Sequence, residues 1–354
     1  DIVIVDSKRF LWLENPSWKE HVMHEDTQAR FDNVCFAPAD IDGDGDLDFA
    51  VGRDWQFGNT KSGGTIGWLE QGEKLEDPWR YHPIAVEPTT HRMRFADFND
   101  DGKPELIVAP LKGRGTSNAD LTSAGVRLLS LKVPSDPAKD EWPATVLTDK
   151  LHVMHNFWPC DVNGDKQSDV LCASFEGVTL LERQKDGKVL SSRIGEGNQE
   201  KSNSRGASEI KLGRFASGTP YIATIEPWHG HQVVVYAHPE TNEESAHRGM
   251  WQRHMLDEDL KWGHAVSCAN LDGDADEELI IGVRDNKDST WRCGLRIYDP
   301  NDDSGRSWKR HIIDPGGVNI EDLAAADLNG DGKVDIVAVG RQSHNVRIYW
   351  NETK

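Results

Sequence analysis

Asp40-Ile-Asp-Gly-Asp-Gly-Asp-Leu-Asp48 places carboxylates at positions one, three, five and nine of a nonapeptide, and the pattern returns four more times. The copies carry Asp97, Asn99, Asp101 and Glu105; Asp161, Asn163, Asp165 and Asp169; Asn270, Asp272, Asp274 and Glu278; and Asp327, Asn329, Asp331 and Asp335. Oxygen side chains at that spacing, mostly with Gly between them, suit a tight turn wrapped around a hard cation, calcium above all. Asp and Asn also close turns onto their own backbone with no metal present. The Asp40 copy, with Asp40, Asp42, Asp44 and Asp48 all acidic, is the best calcium candidate.

A second set of residues emerges when the copies are aligned. Six residues before each start stand Val34, His91, His155, Ala207, His264 and Glu321. One His at such a place would be an ordinary satisfied polar residue. Three imidazoles and a carboxylate at one repeat position suit zinc or a similar borderline divalent ion. Imidazole is also the general base whose proton affinity lies nearest neutral pH. His91, His155, His264, His229 and His231 are therefore the candidate catalytic or ligating groups, with Glu321 as a further metal ligand. Arg53, Trp55, Arg92, Arg114, Arg205, Trp228, Arg284, Arg341 and His344 lie in the same set of loops and are candidate substrate contacts, although solvated loops account for some of the arginines. Lys112 and Arg292 sit in these loops too. The set is expected to converge on a solvent-filled pocket at a channel mouth, at the end of the strands away from the Asp turns, and to pack little core.

The elements that must position these groups follow from the spacing. An apolar run follows every nonapeptide, as in Phe49-Ala-Val51, Leu106-Ile-Val108 and Leu279-Ile-Ile281, so each turn joins two strands. Starts at 40, 97, 161, 270 and 327 leave one double gap, and a worn copy near Gly213, followed by Tyr221-Ile-Ala-Thr-Ile225, fills it. That copy has no acidic turn and should hold no cation. Asp1-Ile-Val-Ile-Val5 matches Asp335-Ile-Val-Ala-Val339, which makes the partial repeat 1–30 a seventh copy. Each copy reads as four short strands, for example His91–Phe98, Glu105–Ala109, Val126–Leu131 and Trp142–Leu147. Repeats of this length and content predict an all-β chain, a single seven-bladed β-propeller domain over 1–354 whose first blade lacks its inner strand. His21, His82, His254 and His311 recur three residues after a Trp and are expected to pack at blade edges.

Net charge of −20 disfavours nucleic acid and anionic membrane as partners. No run of 18 apolar residues is present to span a membrane. Five cysteines without paired spacing give neither a disulfide framework nor a zinc knuckle. A monomer is expected.

The Asp-rich turn followed by an apolar run resembles the FG-GAP/VCBS repeat of integrin propellers and secreted microbial proteins, which implies the propeller fold and a secreted or periplasmic location. Trp262-Gly-His264, His229-Gly-His-Gln-Val-Val-Val-Tyr236 and the ending Glu321-Asp322…His344-Asn345…Tyr349-Trp350-Asn351 are similar to the propeller domain of aldos-2-ulose dehydratase and to propeller-type polysaccharide lyases. That resemblance implies metal-assisted β-elimination on a keto-sugar or uronic-acid-containing carbohydrate. No cupin domain follows, so a second, isomerase-type activity is not implied. Tyr221, Tyr236, Tyr298 and Tyr349 sit in strand-like runs and are poor candidates for the base. Trp55, Trp158, Trp228 and Trp262 could stack on sugar rings, with core packing an equal reading for Trp158. Two other functions fit the same residues: a non-catalytic sugar-binding or adhesion propeller, and a metal-assisted glycoside hydrolase.

Overall fold

The computed structural model describes residues 1–26, 31–239, 245–284 and 293–353. Within them the chain forms seven antiparallel sheets in chain order and one short 3-10 turn, Ala246–Arg248. Blade 1 is Ile2–Val5, Arg9–Glu14 and Lys19–Glu25. Blade 2 is Cys35–Ala39, Asp48–Arg53, Thr65–Glu70 and Arg80–Val86; blade 3 is Thr90–Ala96, Glu105–Pro110, Val126–Leu131 and Ala144–Leu151. Blade 4 is Asn156–Cys160, Asp169–Ser174, Gly177–Arg183 and Val189–Gly195; blade 5 is Glu209–Arg214, Pro220–Glu226, Gln232–Ala237 and Gln252–Asp257. Blade 6 is Gly263–Ala269, Glu278–Val283, Gly294–Pro300 and Trp308–Asp314; blade 7 is Ile320–Ala326, Asp335–Gly340 and Asn345–Tyr349. This is the expected all-β, seven-bladed propeller. Blade 1 has three strands among the described residues, in keeping with the partial first repeat. The last blade also has three strands among the described residues, which the alignment did not foresee.

The strand after each Asp turn is apolar on both faces because both faces are covered. Glu105–Pro110 and Glu278–Val283 are buried at every position. The outermost strands are mostly exposed or half-buried, as in Trp308–Asp314, because they meet water. By Cα packing the chain divides into two compact units: 1–155 with 166–169 and 182–190, and 156–165 with 170–181 and 191–354. In the first, Cys35, Ile66, Trp68, Met93, Leu106 and Leu129 centre one core and Phe10, Trp12, Phe49 and Trp79 another. In the second, the cores gather around Ile210 and Tyr236, around Tyr221 and Ile281, and around Ile320 and Ile336.

Two of the four recurrent outer-strand histidines pack as expected. His21 stacks on Trp12 at 4.2 Å between ring centres and His82 on Trp68 at 4.7 Å, and both also reach a Glu of the adjoining strand.

Candidate functional site

His91 and His264 occupy the same repeat position and make the same bond. His264 Nδ1 lies 2.6 Å from the carbonyl oxygen of Glu321, and His91 Nδ1 lies 3.2 Å from that of His155. In both pairs the acceptor is the residue at the same position of the next repeat. A carbonyl can only accept, so Nδ1 carries the proton and Nε2 the lone pair, the tautomer that ligates a metal or takes up a proton. Arg92 has a guanidinium nitrogen 3.4 Å from His91 Nδ1, but a guanidinium cannot donate to a nitrogen that is itself donating. Its 3.2 Å bond to the His91 carbonyl is the contact it makes.

Around each imidazole the unit supplies a different setting. In the second unit, His229 stands 5.0 Å from the His264 ring, with Trp228 and Trp262 at 4.9 and 5.5 Å from His229. His264 Nε2 is 3.9 Å from Glu321 Oε1, and the Glu321 carboxylate is also paired with Arg284 at 3.3 Å and Arg341 at 3.7 Å. The Arg284 guanidinium lies 4.9 Å over the half-exposed Trp262 ring. In the first unit, the His155 ring is 4.7 Å from His91 and Trp55 is 6.0 Å from it on another side. The expectation that these histidines line an open pocket and pack little core needs correction. His91, His155 and His264 are 7%, 1% and 3% exposed, and the Nδ1 bonds of His91 and His264 run to the backbone of the next repeat.

The backbone that aims them is strained. Thr89, Val153 and Trp262 have φ of 60°, 46° and 55°, and each stands two residues before a His of the shared position. Asp54, His229 and His344, in the loops after the second strands, have φ of 57°, 49° and 50°. Side-chain-bearing residues reach this left-handed region at about 1–2 kcal/mol each. Such residues gather where surrounding contacts hold a geometry that function requires. Closing bonds span the two loops of one blade: Trp55 N–H donates to the Asp32 carbonyl, Leu111 to Thr89 and Arg284 to Trp262.

Other candidates are placed as follows. Arg53 pairs with Asp26 and lies 4.6 Å over the Tyr81 ring, while Arg114 donates to buried Glu87 at 2.8 Å. Arg205 is 5.6 Å from the Phe175 ring, which also meets Trp228 edge-on. His231 and His344 are exposed, and no described contact joins either ring to His229 or His264. Trp158 takes the packing role, with Lys211 Nζ 3.1 Å from its ring centre. Arg292 lies outside the described residues, as does most of the 284–293 loop.

The Asp turns show both features that the sequence allowed. Each is laced by its own backbone: Gly43 N–H donates to Asp40, Gly102 to Asp97, Gly164 to Asp161, Gly273 to Asn270 and Gly330 to Asp327. Side-chain oxygens of three turns also gather within 4.8 Å, as Asp40, Asp42 and Asp48, as Asp97, Asp101 and Glu105, and as Asp272, Asp274 and Glu278. Burial, with nearby carboxylates adding to it, pushes Asp48 and Glu278 up to about 7. The worn copy closes its turn without acid, through Gly218 N–H to the Phe215 carbonyl.

Residues 63–239 match the family of the aldos-2-ulose dehydratase β-propeller domain, half of the chain. The chain belongs to that family. Residues 270–338 match the FG-GAP-like repeat, in keeping with the Asp turns. Aldos-2-ulose dehydratase of Phanerodontia chrysosporium is 25% identical over 295 residues, which take in 78% of this chain and 32% of that enzyme. The chain thus spans about a third of its relative's length. A lectin of Agrocybe aegerita that recognises non-reducing terminal N-acetylglucosamine superposes with a TM-score of 0.60 at 15% identity, over 99% of this chain and 87% of the lectin. The periplasmic gluconolactonase of Pseudomonas aeruginosa gives 0.53 at 13%, over 99% and 98%. Those likenesses show the fold.

In this aldos-2-ulose dehydratase-type propeller the tyrosines are structural, as their strand positions suggested. Tyr298 and Tyr349 donate at 2.6 Å to Asp257 and Asp314, and Tyr236 donates at 2.5 Å to Glu226. Burial and these carboxylates push all three phenols upward. Asp257 and Asp314 also bind Arg296 and Arg347. The sequence reading passed over these acids; the repeated tripeptides Arg296-Ile-Tyr298 and Arg347-Ile-Tyr349 are the signal that would have found them.

Proposed function

We propose that this propeller is a carbohydrate lyase that eliminates water from a 2-keto sugar. The observation that carries the reading is the pair of buried imidazoles at one repeat position, each held by a backbone carbonyl in the tautomer that leaves Nε2 its lone pair. The fungal relative is an aldos-2-ulose dehydratase, whose name describes a reaction of the same class.

The donor set fits a borderline divalent ion. We assign His229 and His264 of the second unit as residues that would hold it, since they are neutral nitrogen donors of the kind that leaves coordination positions open for substrate. When bound, the ion would polarise the sugar ketone and make the neighbouring C–H acidic. An imidazole in the tautomer described above can serve as the base: its Nε2 accepts the α-proton while its Nδ1–H stays on the backbone carbonyl, as His91 is held on that of His155. The C–H pair becomes the new C=C bond, the β-hydroxyl leaves, and one proton completes the departing water. Trp228 and Trp262 provide apolar faces for the ring, and the half-buried Arg284 fixes Trp262 from one side. A keto-sugar is favoured over a uronate because Arg284 and Arg341, which reach the carboxylate beside His264, already share Glu321.

The test is incubation with an aldos-2-ulose and detection of the conjugated enone by its new ultraviolet absorbance. His264→Gln should lose both zinc and turnover. His91→Gln should keep the zinc and lose turnover by about 100-fold or more. Turnover by both variants at the wild-type rate would overturn the scheme, and release of a reducing sugar from an oligosaccharide, with no enone from the aldos-2-ulose, would make the protein a hydrolase.

A further inference from the structure

Blade 6 departs from blades 2, 3 and 7 at the Asp-turn end. The ninth turn residue begins the second strand and faces one residue of the third. In blade 6 those residues are Glu278 and Asp299, one step on from the Leu279–Tyr298 pair. Like charges placed opposite each other on adjacent strands repel. Asp276, at the seventh turn position, adds another, and oxygens of Asp276, Glu278 and Asp299 all lie within 4.8 Å of one another.

Blades 2, 3 and 7 relieve the same position, whereas blade 4 also sets an acid, Glu182, opposite its ninth turn residue, Asp169, one step on from the Val170–Leu181 pair. In blade 3 the cross-strand residue is Lys132, which bonds Asp101 at 2.9 Å, and the seventh residue is Lys103. In blade 7 the seventh residue is Lys333. Blade 2 keeps acids, Asp46 and Glu70, but Glu70 is held by Arg80 and His82. In blade 6 the cationic neighbours are His311, 4.0 Å from Asp299 and partly exposed, and Lys309, which lies opposite Asp299 on the outer strand and is exposed.

The independent sign of a ligand is Asp276 itself. It is 7% exposed, and its Oδ1 accepts no hydrogen bond among the described residues. Leaving a buried carboxylate oxygen unpaired beside two other carboxylates is costly unless a cation completes the group. Burial first, then Asp274, Asp299, Asp272 and Asp303, push Asp276 up to about 6.

We propose that Asp276, Glu278 and Asp299 form a calcium site, separate from the one that Asp272 and Asp274 can complete with Glu278, so that Glu278 is shared. All-oxygen donors, two of them buried carboxylates, suit a hard cation. The site braces the hairpin of blade 6, where strands two and three would otherwise present facing acids.

The experiment counts calcium on the purified chain by equilibrium dialysis and atomic emission, beside melting curves in chelator and in millimolar calcium. Asp299→Asn should bind one equivalent fewer than wild type, whereas Asp272→Asn should keep the Asp299 site and lose a different equivalent, so that the double variant loses two. In chelator, Asp299→Asn should melt above wild type because a repulsion is gone, and calcium should raise its melting temperature less. Asp276→Asn serves as the second variant should Asp299→Asn fold poorly. An unchanged calcium count in Asp299→Asn and Asp276→Asn would overturn the proposal. So would a double variant that loses only one equivalent, since a single ion would then serve both groups.

Discussion

The two ends of each inner strand solve the problem of a repeated polar residue in opposite ways. At the Asp-turn end the carboxylate bonds within its own nonapeptide, as Asp97 does to Gly102 at 2.9 Å. At the other end the imidazole bonds to the next repeat, 57 residues on for His264 and 64 for His91. The first kind of contact forms wherever the turn forms. The second requires neighbouring blades to be in place, and it holds groups at fixed geometry at the cost of left-handed residues just before them. Local satisfaction gives repeated, independent turns; satisfaction across blades fixes each imidazole against its neighbour.

The contrast can be broken most sharply at His264. Its replacement by Gln should abolish turnover, while replacement by Ala should also cost about 1–3 kcal/mol of stability, from the unpaired Glu321 carbonyl and the cavity left behind. Chemical denaturation separates the two, and a His264→Ala protein as stable as wild type would mean that the cross-blade bond holds nothing. Next in size is Glu321→Gln. The backbone carbonyl that fixes His264 is unchanged, so the loss of turnover should be smaller than for His264→Gln, and it should show in KM through Arg284 and Arg341. A kcat loss equal to that of His264→Gln would make the carboxylate itself part of the chemistry.

At the Asp-turn end, Asp40→Asn should reduce the rise in melting temperature that calcium produces and leave turnover alone. Calcium contributes there only by mass action on one turn, roughly 2.7 kcal/mol at a hundredfold excess over Kd. Turnover that follows calcium at Asp40 would erase the distinction between the ends.

The smallest effect belongs to Lys112, buried in the loop after the second strand of blade 3. Its Nζ donates to the Phe57 carbonyl at 2.9 Å and to Asn118 at 3.0 Å, and burial lowers it to about 8 from its ordinary 10.5. Between those values the unfolded chain binds more protons than the folded one, so stability rises with pH. Below about 8 the amine is charged in both states and the contribution is level. Wild type should therefore gain stability relative to Lys112→Met from about pH 8 towards 10.5; a difference flat across that range would show that the buried amine keeps its proton.

Much of this protein was legible in one dimension because its repeats are short and self-contained. Nonapeptide spacing gave seven copies, the strand order within each blade and the turn chemistry, since each depends on residues within one hairpin. Alignment of the copies also singled out His91, His155, His264 and Glu321, because pseudo-symmetry turns equal position in sequence into equal position in a blade. Burial of those histidines was not legible. For His91 and His264 the Nδ1 partner is a carbonyl of another repeat, which no single repeat reveals. The left-handed residues before them, the Tyr298–Asp257 and Tyr349–Asp314 pairs and the facing acids Glu278 and Asp299 were decided the same way, by strand pairing and blade packing. Sequence by itself determined what each repeat is; the tertiary structure decided which groups of different strands and repeats meet, since contact across strands depends on register and distance in space rather than on position along the chain.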